Sequence, residues 1–303
     1  MKIIITGGTG LIGTALRKSF LENSHEVVII SRNPDLTSGS AKIISWDINT
    51  IVHELSDTDV VINLAGASIS GSNPLRMRWT PKRKKQILSS RVEAGKLITE
   101  AIRISAYKPG VLIQASAIGY YGNSGSGPID ETSIPGSDFL ADVCQDWEKS
   151  TGPVENLGVR RVITRIGLVF SKDGGLLPFL SLPFRFFMGG AIGSGNQTLS
   201  WIHIYDVVHA IKFLIEQPQT QGVYNLTAPN PVSNQIFAQS LGQTLNKPVW
   251  LPVPALLLTL GLGEAATLAL DGKGVLPKRL LEAGYQFKYP DLQAGLENSI
   301  KKH

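Results

Sequence analysis

The chain has 303 residues, of which 43% are hydrophobic and 17% are charged. This balance is typical of a globular protein, so it excludes a chain that is mostly disordered. The single cysteine, Cys144, excludes a disulfide framework and a zinc site built from four thiolates, and it favours a reducing compartment such as the cytoplasm.

The formal net charge of +5 comes from one segment of the chain. Removing the seven basic residues of that segment from the 29 in the chain leaves 22, against 24 acidic residues. A basic segment on a nearly neutral body argues against a nucleic-acid-binding protein. The seven residues are Arg76, Arg78, Lys82, Arg83, Lys84, Lys85 and Arg91.

The N-terminal residues predict a strand, a glycine-rich turn, a helix and a second strand, which together form a βαβ unit. Lys2–Thr6 is the first strand, the apolar spacing after Thr14 predicts the helix, and residues 27–30 are the second strand. In such a turn the glycines let the backbone approach a pyrophosphate, which the N–H groups at the helix start bind. We therefore expect a dinucleotide cofactor in contact with Gly7, Thr9, Gly10, Leu11 and Ile12.

The end of the second strand indicates which dinucleotide binds. NAD sites usually place Asp or Glu there to bind the ribose 2′-hydroxyl, whereas this chain has Ser31 and Arg32. A hydroxyl and a guanidinium suit a 2′-phosphate, so the sequence predicts NADP(H). Asp47, after the third predicted strand, either contacts the adenine side of the cofactor or is an ordinary loop carboxylate.

Further strands alternate with helices, which predicts an α/β fold with a Rossmann-type, doubly wound parallel sheet. The basic segment leads into a helix that ends near Ile104, and another helix covers Phe139–Ser150. The apolar stretch 254–270 predicts a core helix and not a membrane span, because Glu264 interrupts it and a span needs about 20 residues. The remaining strands are predicted at 43–45, 60–64, 111–116, 161–165 and 223–226.

The domain organisation follows from the same pattern. We expect residues 1–228 to form an NADP-binding domain, with residues 171–198 contributing to the substrate cleft. Residues 229–303, which are rich in proline and less regular, should form a smaller C-terminal substrate domain.

Several motifs resemble those of the extended short-chain dehydrogenase/reductases. The glycine turn at 7–13, Asn63-Leu64-Ala65-Gly66 and Arg165-Ile166-Gly167-Leu168-Val169 are similar to that superfamily. Other motifs resemble its atypical "epimerase family" branch, which includes YfcH-like bacterial proteins and SulA-like relatives linked to chloroplast division. These motifs include Arg78-Trp79-Thr80, Ser90-Arg91, Ser116-Ala117-Ile118-Gly119-Tyr120-Tyr121-Gly122 and Pro229-Asn230-Pro231-Val232.

This resemblance covers nearly the whole chain, and it implies an NADP-binding extended fold. It also implies cofactor contacts at Leu64, Ala65, Gly66 and Arg91. It does not supply a physiological substrate.

The catalytic set of the parent superfamily is absent. That set is a Ser or Thr followed by Tyr-x-x-x-Lys, in which the phenol acts as the acid or base. The corresponding positions here are Ala117, Leu140 and Cys144, none of which can do that work. The nearest substitutes are Ser116, Tyr120 and Tyr121, where the two tyrosines either contact the substrate or pack beneath their loop.

The basic segment and the histidines give weaker signals. Arg78, Lys82 and Arg91 either bind a carboxylate or phosphate of the substrate or belong to a solvated helix face. His203 is more readily explained as a core residue than as an acid or base. The histidines share no metal-ligand spacing, so we expect no metal.

Two functions are compatible with the sequence. The first is an NADP(H)-dependent oxidoreductase or epimerase acting on a small hydroxyl or carbonyl compound, with an anionic compound as one option. The second is a non-catalytic, NADPH-binding regulator of cell or plastid division with a partner in the division machinery. In both cases we expect a cytoplasmic or plastid-stromal protein without an integral membrane segment, as a monomer or weak dimer, because the basic run disfavours pairing through its helix.

Overall fold

The structure is a computed structural model that describes residues 1–33, 40–69, 78–123 and 127–300. Arg76 of the basic segment lies outside these ranges. The strands are β1 (Lys2–Thr6), β2 (Glu26–Ile30), β3 (Lys42–Ile44), β4 (Val60–Asn63), β5 (Val111–Ala117), β6 (Arg160–Ile166), β7 (Leu168–Phe170), β8 (Thr198–Leu199), β9 (Trp201–His203), β10 (Gly222–Leu226) and β11 (Val232–Ser233). The helices are α1 (Leu11–Glu22), α2 (Ile48–Glu54), α3 (Pro81–Ile104), α4 (Phe139–Ser150), α5 (Leu177–Arg185), α6 (Ile204–Glu216), α7 (Asn234–Leu245), α8 (Ala255–Leu262), α9 (Thr267–Leu270), α10 (Lys278–Glu282) and α11 (Leu292–Ile300).

Within the described residues, seven parallel strands form the main sheet, in the order β10-β6-β5-β4-β1-β2-β3. The chain winds outward in one direction from β1 through β3 and in the other direction from β4 through β10. The point of reversal therefore lies between β1 and β4, where the loops diverge and leave a crevice at the carboxyl edge. This topology confirms the predicted α/β, doubly wound Rossmann fold.

The central strands carry apolar residues on both faces of the sheet, because helices cover both of those faces. Ile3 and Ile5 of β1 pack into a core with α1 and α6, whereas Ile4 packs into a second core with α2 and α3. All three isoleucines are fully buried, as the alternation of side chains along a strand requires.

The observed bounds are close to the predicted ones, and α4 covers the predicted residues. Helix α1 begins at Leu11, three residues before the predicted start, because Gly10 is already its N-cap in extended backbone conformation. The basic helix α3 begins at Pro81, where Thr80 is the N-cap and accepts a hydrogen bond from the Arg83 N–H.

A third core joins the end of the sheet domain to the C-terminal residues. Phe170 and Trp201 stack with ring centroids 5.3 Å apart, and they pack with Phe237 and Leu241 of α7 and Leu296 of α11. The domain boundary at 228/229 stays a prediction.

The prediction of one core helix over 254–270 is wrong for the part that forms α8, whereas Ala265 and Ala266 beyond it are buried. Helix α8 has no buried residue, and Leu256, Leu257 and Leu260 are each more than 60% exposed. The stretch also divides at Gly263, whose φ of +58° ends α8. Among the described residues, no helix is both long and apolar enough to cross a membrane.

Candidate functional site

The glycine turn after β1 has the geometry that a pyrophosphate site requires. Gly7 has a φ of +70°, and a Cβ on Gly13 would lie 2.3 Å from the Gly7 carbonyl oxygen and 2.6 Å from the Cα of Gly8. No described side chain caps the start of α1, and Thr9 and Gly10 are exposed. The first N–H groups of α1 are therefore open to an anionic group, so the turn fits the phosphates of a dinucleotide.

The turn after β4 lies directly beside this glycine turn. A Cβ on Gly7 would lie 2.8 Å from the carbonyl oxygen of Leu64. The Thr6 hydroxyl donates to Asn63 at 2.6 Å and accepts from the Ala65 N–H at 3.2 Å. These buried bonds hold Leu64, Ala65 and Gly66 at the crevice between β1 and β4.

The loop after β7 also reaches the cofactor end of the sheet. A Cβ on Gly175 would lie 3.1 Å from a methyl group of Leu11, at the start of α1. This contact places part of the predicted cleft segment 171–198 against the turn where the phosphates are expected.

Ser31, Arg32 and Asp47 lie at the ends of β2 and β3. Arg32 is exposed, and the Ser31 hydroxyl accepts a hydrogen bond from the Asn33 N–H at 3.1 Å. Asp47 is the N-cap of α2 and accepts from both the N–H and the hydroxyl of Thr50, each at 2.8 Å, which lowers its pKa. Asp47 thus has a structural role, and its contact with a cofactor stays a prediction.

The three proposed catalytic residues meet in one buried polar network at the carboxyl ends of β5, β6 and β10. The Ser116 hydroxyl donates to Glu148 at 2.6 Å, and Glu148 accepts two hydrogen bonds from Arg165, each at 2.9 Å. Arg165 also donates to the Tyr121 hydroxyl at 3.0 Å, and that hydroxyl donates to Asn225 at 2.7 Å.

Arg165 is the centre of this network. Its Cζ lies 3.2 Å from the centroid of the Tyr120 ring, so the guanidinium stacks on that ring as well as pairing with Glu148. Burial is the largest influence on Tyr121 and raises its pKa, against the opposing charge of Arg165. Both hydroxyls, of Ser116 and Tyr121, are therefore neutral and already hydrogen bonded.

A cavity of about 650 Å³ opens beside this network. It extends from the ends of β5 and β6 to α5, α7 and α8, and aromatic and aliphatic side chains form most of its wall. Ala117, Leu140 and Cys144, which replace the usual catalytic residues, all line it. Burial raises the pKa of Cys144 to about 11, so this thiol is protonated and is a poor nucleophile at neutral pH.

Of the predicted basic residues, the structure places only Arg91 at the described cavity wall. Arg91 is 7% exposed, and a Cβ on Gly66 would lie 2.9 Å from its Cζ. Arg78 and Lys82 are exposed and are not part of the wall; Arg78 lies beside Gly263 at the end of α8. The structure thus separates Arg91 from the other two predicted substrate residues.

His203 has a structural position. Its Nδ1 accepts a hydrogen bond from the Tyr205 N–H at 3.1 Å and caps α6. Burial lowers its pKa to about 4. Within the described residues, no cluster of three or more His, Cys, Asp or Glu side chains has the arrangement of a metal site.

Glu148, Arg165 and Asn225 were missed by reasoning on function from the sequence. Arg165 occurs in one of the motifs that carried the resemblance, and a charged residue within an apolar strand such as β6 is a signal of a buried partner. The identity of that partner depends on tertiary structure, since Glu148 lies on α4 and Asn225 on β10.

Comparisons with known proteins agree with this geometry. The NAD dependent epimerase/dehydratase family matches residues 3–141, and a domain of unknown function, DUF1731, matches residues 253–299. Epimerase family protein SSP1921 of Staphylococcus saprophyticus is 40% identical over 301 residues, covering 98% of each chain. Epimerase family protein YfhF of Bacillus subtilis is 39% identical over 304 residues, covering 99% of this chain and 98% of that protein.

A solved structure is similar over the whole chain as well. The human epimerase family protein SDR39U1, crystallised with NADPH, has a TM-score of 0.89 and 34% identity, covering 99% of each chain. The fold and the glycine turn thus define a nucleotide-binding protein of the extended short-chain dehydrogenase/reductase type. Within that class, the chain belongs to the NAD-dependent epimerase/dehydratase family, among the epimerase family proteins.

Proposed function

We propose that this protein is an NADP(H)-dependent oxidoreductase or epimerase acting on a small hydroxyl or carbonyl compound. One observation carries the proposal: a cavity opens at the same carboxyl edge of the sheet as the intact glycine turn. A cofactor whose phosphates lie on α1 can extend along that edge toward the cavity. The nicotinamide, when bound, supplies or accepts a hydride.

The preference for NADP(H) over NAD(H) is supported by two observations. Arg32 is exposed at the end of β2, where an acidic residue is usual in NAD sites. The similar human protein was crystallised with NADPH. We propose that the phosphates of the cofactor contact Gly7, Thr9, Gly10, Leu11 and Ile12. The adenosine side would contact Ser31, Arg32 and Asp47, and the rest of the cofactor would contact Leu64, Ala65, Gly66 and Arg91.

Among the proposed catalytic residues, Tyr121 is the candidate for substrate contact because its ring borders the cavity. Its hydroxyl carries a proton and is held by Arg165 and Asn225. Ser116 and Tyr120 hold Arg165 and Glu148 in place, so they would act by positioning Tyr121. Arg78 and Lys82, which lie outside the cavity wall, would contact only a substrate that extends beyond it.

A second candidate function is a non-catalytic NADPH-binding regulator of cell or plastid division. The observation in its favour is that the three usual catalytic positions are Ala117, Leu140 and Cys144, while the nearby hydroxyls are engaged in buried hydrogen bonds. In that case the cofactor would stabilise the fold or report redox state to a division partner. For either function we propose a cytoplasmic or stromal protein that is a monomer or weak dimer.

Turnover measurements separate the two candidates. NADPH oxidation would be followed over a panel of small aldehydes, ketones and sugar nucleotides, for the parent chain and for Tyr121→Phe and Tyr120→Phe. A positioned acid or base contributes about 10²- to 10⁴-fold in rate, so Tyr121→Phe should lose that much turnover while NADPH affinity is unchanged. Tyr120→Phe keeps the ring beneath Arg165 and serves as the matched control.

The regulator predicts the opposite pattern. No compound of the panel would be turned over, and complementation of a division phenotype would survive both Tyr→Phe changes but fail with Gly10→Val. Turnover that survives in the Tyr120→Phe, Tyr121→Phe double variant would reject the catalytic role of the tyrosines.

A further inference from the structure

Arg91 is a buried cation with no counter-charge among the residues that the structure describes. Its Nη1 donates to the carbonyl oxygens of Ala67 at 3.1 Å and Ile87 at 2.9 Å. Its Nε and Nη2 make no hydrogen bond to the part of the chain that the structure describes, and no described carboxylate lies within ion-pair distance. Arg165, the other deeply buried arginine of the site, is instead paired with both oxygens of Glu148.

The guanidinium of Arg91 is fixed in position. The Trp147 ring lies on one side, with 4.9 Å between its centroid and Cζ, and Gly66 leaves room for Cζ on the other. Burial lowers the pKa of Arg91 to about 10, so it is still charged at neutral pH. An unpaired buried charge is unfavourable, and it is expected where a ligand supplies the missing partner.

The other charged groups of the cavity wall already have partners. Asp138 caps α4, Glu264 pairs with Lys84, and Asp271 accepts a hydrogen bond from Asn123. Lys273 has Asp138 as an electrostatic neighbour. Arg91 is therefore the charged group of the described wall that is most in need of an anion.

The rest of the wall determines what else the ligand must carry. The wall also includes Trp79, Phe139, Leu140, Phe237 and Leu262. A volume of about 650 Å³ lies within the range of about 300–1,000 Å³ that holds a drug-sized ligand. Apolar walls of this size favour burial of an alkyl chain or ring system.

We propose that the substrate of this cavity is amphipathic, with an apolar body along the wall and one carboxylate held by Nε and Nη2 of Arg91. A carboxylate is planar and matches the two parallel donors of a guanidinium edge. The carboxylate lies next to Ala117 and Cys144, where the usual proton relay is missing. This inference rests on the proposed function, since it names the substrate class of the same cavity.

The test is binding, which does not depend on turnover. Decanoate, 1-decanol and acetate would be titrated into the NADPH complex of the full chain by calorimetry. Decanoate should bind at least about tenfold more tightly than 1-decanol, since a hydrogen bond to a charged group contributes about 1.5–3 kcal/mol. Acetate, which lacks the apolar body, should bind most weakly. Equal affinities for decanoate and 1-decanol in the parent chain would overturn the proposal.

Variants of Arg91 locate the carboxylate. Arg91→Met keeps an unbranched side chain but removes the guanidinium, and it should weaken decanoate binding by about ten- to a hundredfold while leaving 1-decanol unchanged. Arg91→Lys keeps the charge and should retain part of the affinity for decanoate. It provides the comparison with the parent chain if Arg91→Met does not fold. Arg103→Met, on the exposed side of the same helix, is the control and should bind decanoate like the parent.

The outcomes distinguish this inference from the proposed function. Arginine-dependent binding of decanoate without turnover of any carbonyl compound would reject the enzyme and retain the site. Turnover with decanoate affinity that is indifferent to Arg91→Met and Arg91→Lys would retain the enzyme and overturn the site. A loss of NADPH affinity in Arg91→Met with unchanged decanoate affinity would leave Arg91 as a cofactor contact only and would also overturn it.

Discussion

The carboxyl edge of the main sheet has a cofactor end at β1 and a substrate end at β5 and β6, and the two differ in whether backbone or side-chain atoms form the site. At the β1–α1 turn, the features that suit a cofactor belong to the backbone: a positive φ at Gly7, a close approach at Gly13 and open N–H groups at the start of α1. At the ends of β5 and β6, the features belong to side chains, and the usual side chains are replaced. The fold thus retains its nucleotide end while its substrate end is rebuilt.

The substrate end, at the carboxyl ends of β5 and β6, differs from the usual site by more than the loss of catalytic residues. The three replaced positions form an apolar cavity wall, and a network of Ser116, Glu148, Arg165, Tyr121 and Asn225 lies behind it. The polar groups that remain are thereby drawn away from the cavity into the protein interior. A substrate that enters the cavity meets a mostly apolar wall, and Arg91 is a charged group of the described wall for which no ion pair is seen.

The largest expected change in the free energy of unfolding concerns the buried network at the substrate end. Glu148→Ala leaves Arg165 buried without its partner, and breaking such a pair typically costs about 3–5 kcal/mol in the free energy of unfolding. Glu155→Ala, which breaks the more exposed pair with Arg161, is the matched control and should cost at most about 1 kcal/mol. Urea denaturation measures both. Equal losses would mean that the buried network does not stabilise this end of the sheet.

A pH dependence tests whether His203 is structural. Burial lowers its pKa to about 4, whereas a histidine of the unfolded chain has a pKa of about 6.5, so the unfolded chain takes up a proton at a higher pH than the folded one. The free energy of unfolding should therefore fall from neutral pH toward pH 4, with a contribution of about 2 kcal/mol lost by pH 5. His203→Asn keeps an N-cap without a titrating ring, and its loss of stability between pH 7.5 and pH 5 should be smaller by that amount. An identical pH profile for the variant would contradict the assignment.

At the cofactor end, the effect of a Gly→Ala substitution on stability and NADPH binding should depend on how closely the backbone approaches that glycine. In Gly13→Ala the added Cβ meets backbone atoms of Gly7 and Gly8, and overpacking of this kind costs about 1–3 kcal/mol. We expect both a lower melting temperature and no measurable NADPH binding. In Gly10→Ala the nearest atom to the added Cβ is 3.3 Å away, so NADPH affinity should fall while stability stays close to that of the parent. A fully stable Gly13→Ala protein that binds NADPH would be inconsistent with this packing.

The change expected to leave stability nearly unaltered concerns cofactor choice. Arg32→Ala removes the proposed charged contact to the 2′-phosphate, which is equivalent to about 1.5–3 kcal/mol, or about ten- to a hundredfold in NADPH affinity. NADH affinity and stability should change little, and Arg103→Ala is a control on a distant surface. Calorimetry that gives equal affinities for NADPH and NADH in the parent chain would reject the preference.

The same contrast explains what could be predicted from the sequence. The glycine turn, the alternation of strands with helices and the helix at Phe139–Ser150 follow from local patterns, and the structure confirms the fold that they predict. The role of Glu148 could not be predicted, because its partners Ser116 and Arg165 lie on two different strands. For α8, hydropathy gave the wrong environment, since apolar composition alone does not say whether another element covers a helix.

The position of Arg91 could be predicted from the sequence only in part. The sequence placed it in a basic run, and nothing in that run distinguishes it from Arg78 or Lys82. Only the packing of α3 places it at the cavity wall, while the other two lie exposed.

A crystal structure of this protein with NADPH tests the central claim most directly. We expect the pyrophosphate on the N–H groups of Leu11 and Ile12, the 2′-phosphate at Arg32, and the nicotinamide at the inner end of the cavity near Ala117, with its C4 facing the apolar wall. A nicotinamide that lies outside the cavity, or whose C4 is separated from it by side chains of the Tyr121 network, would contradict the claim that the two ends form one reaction site.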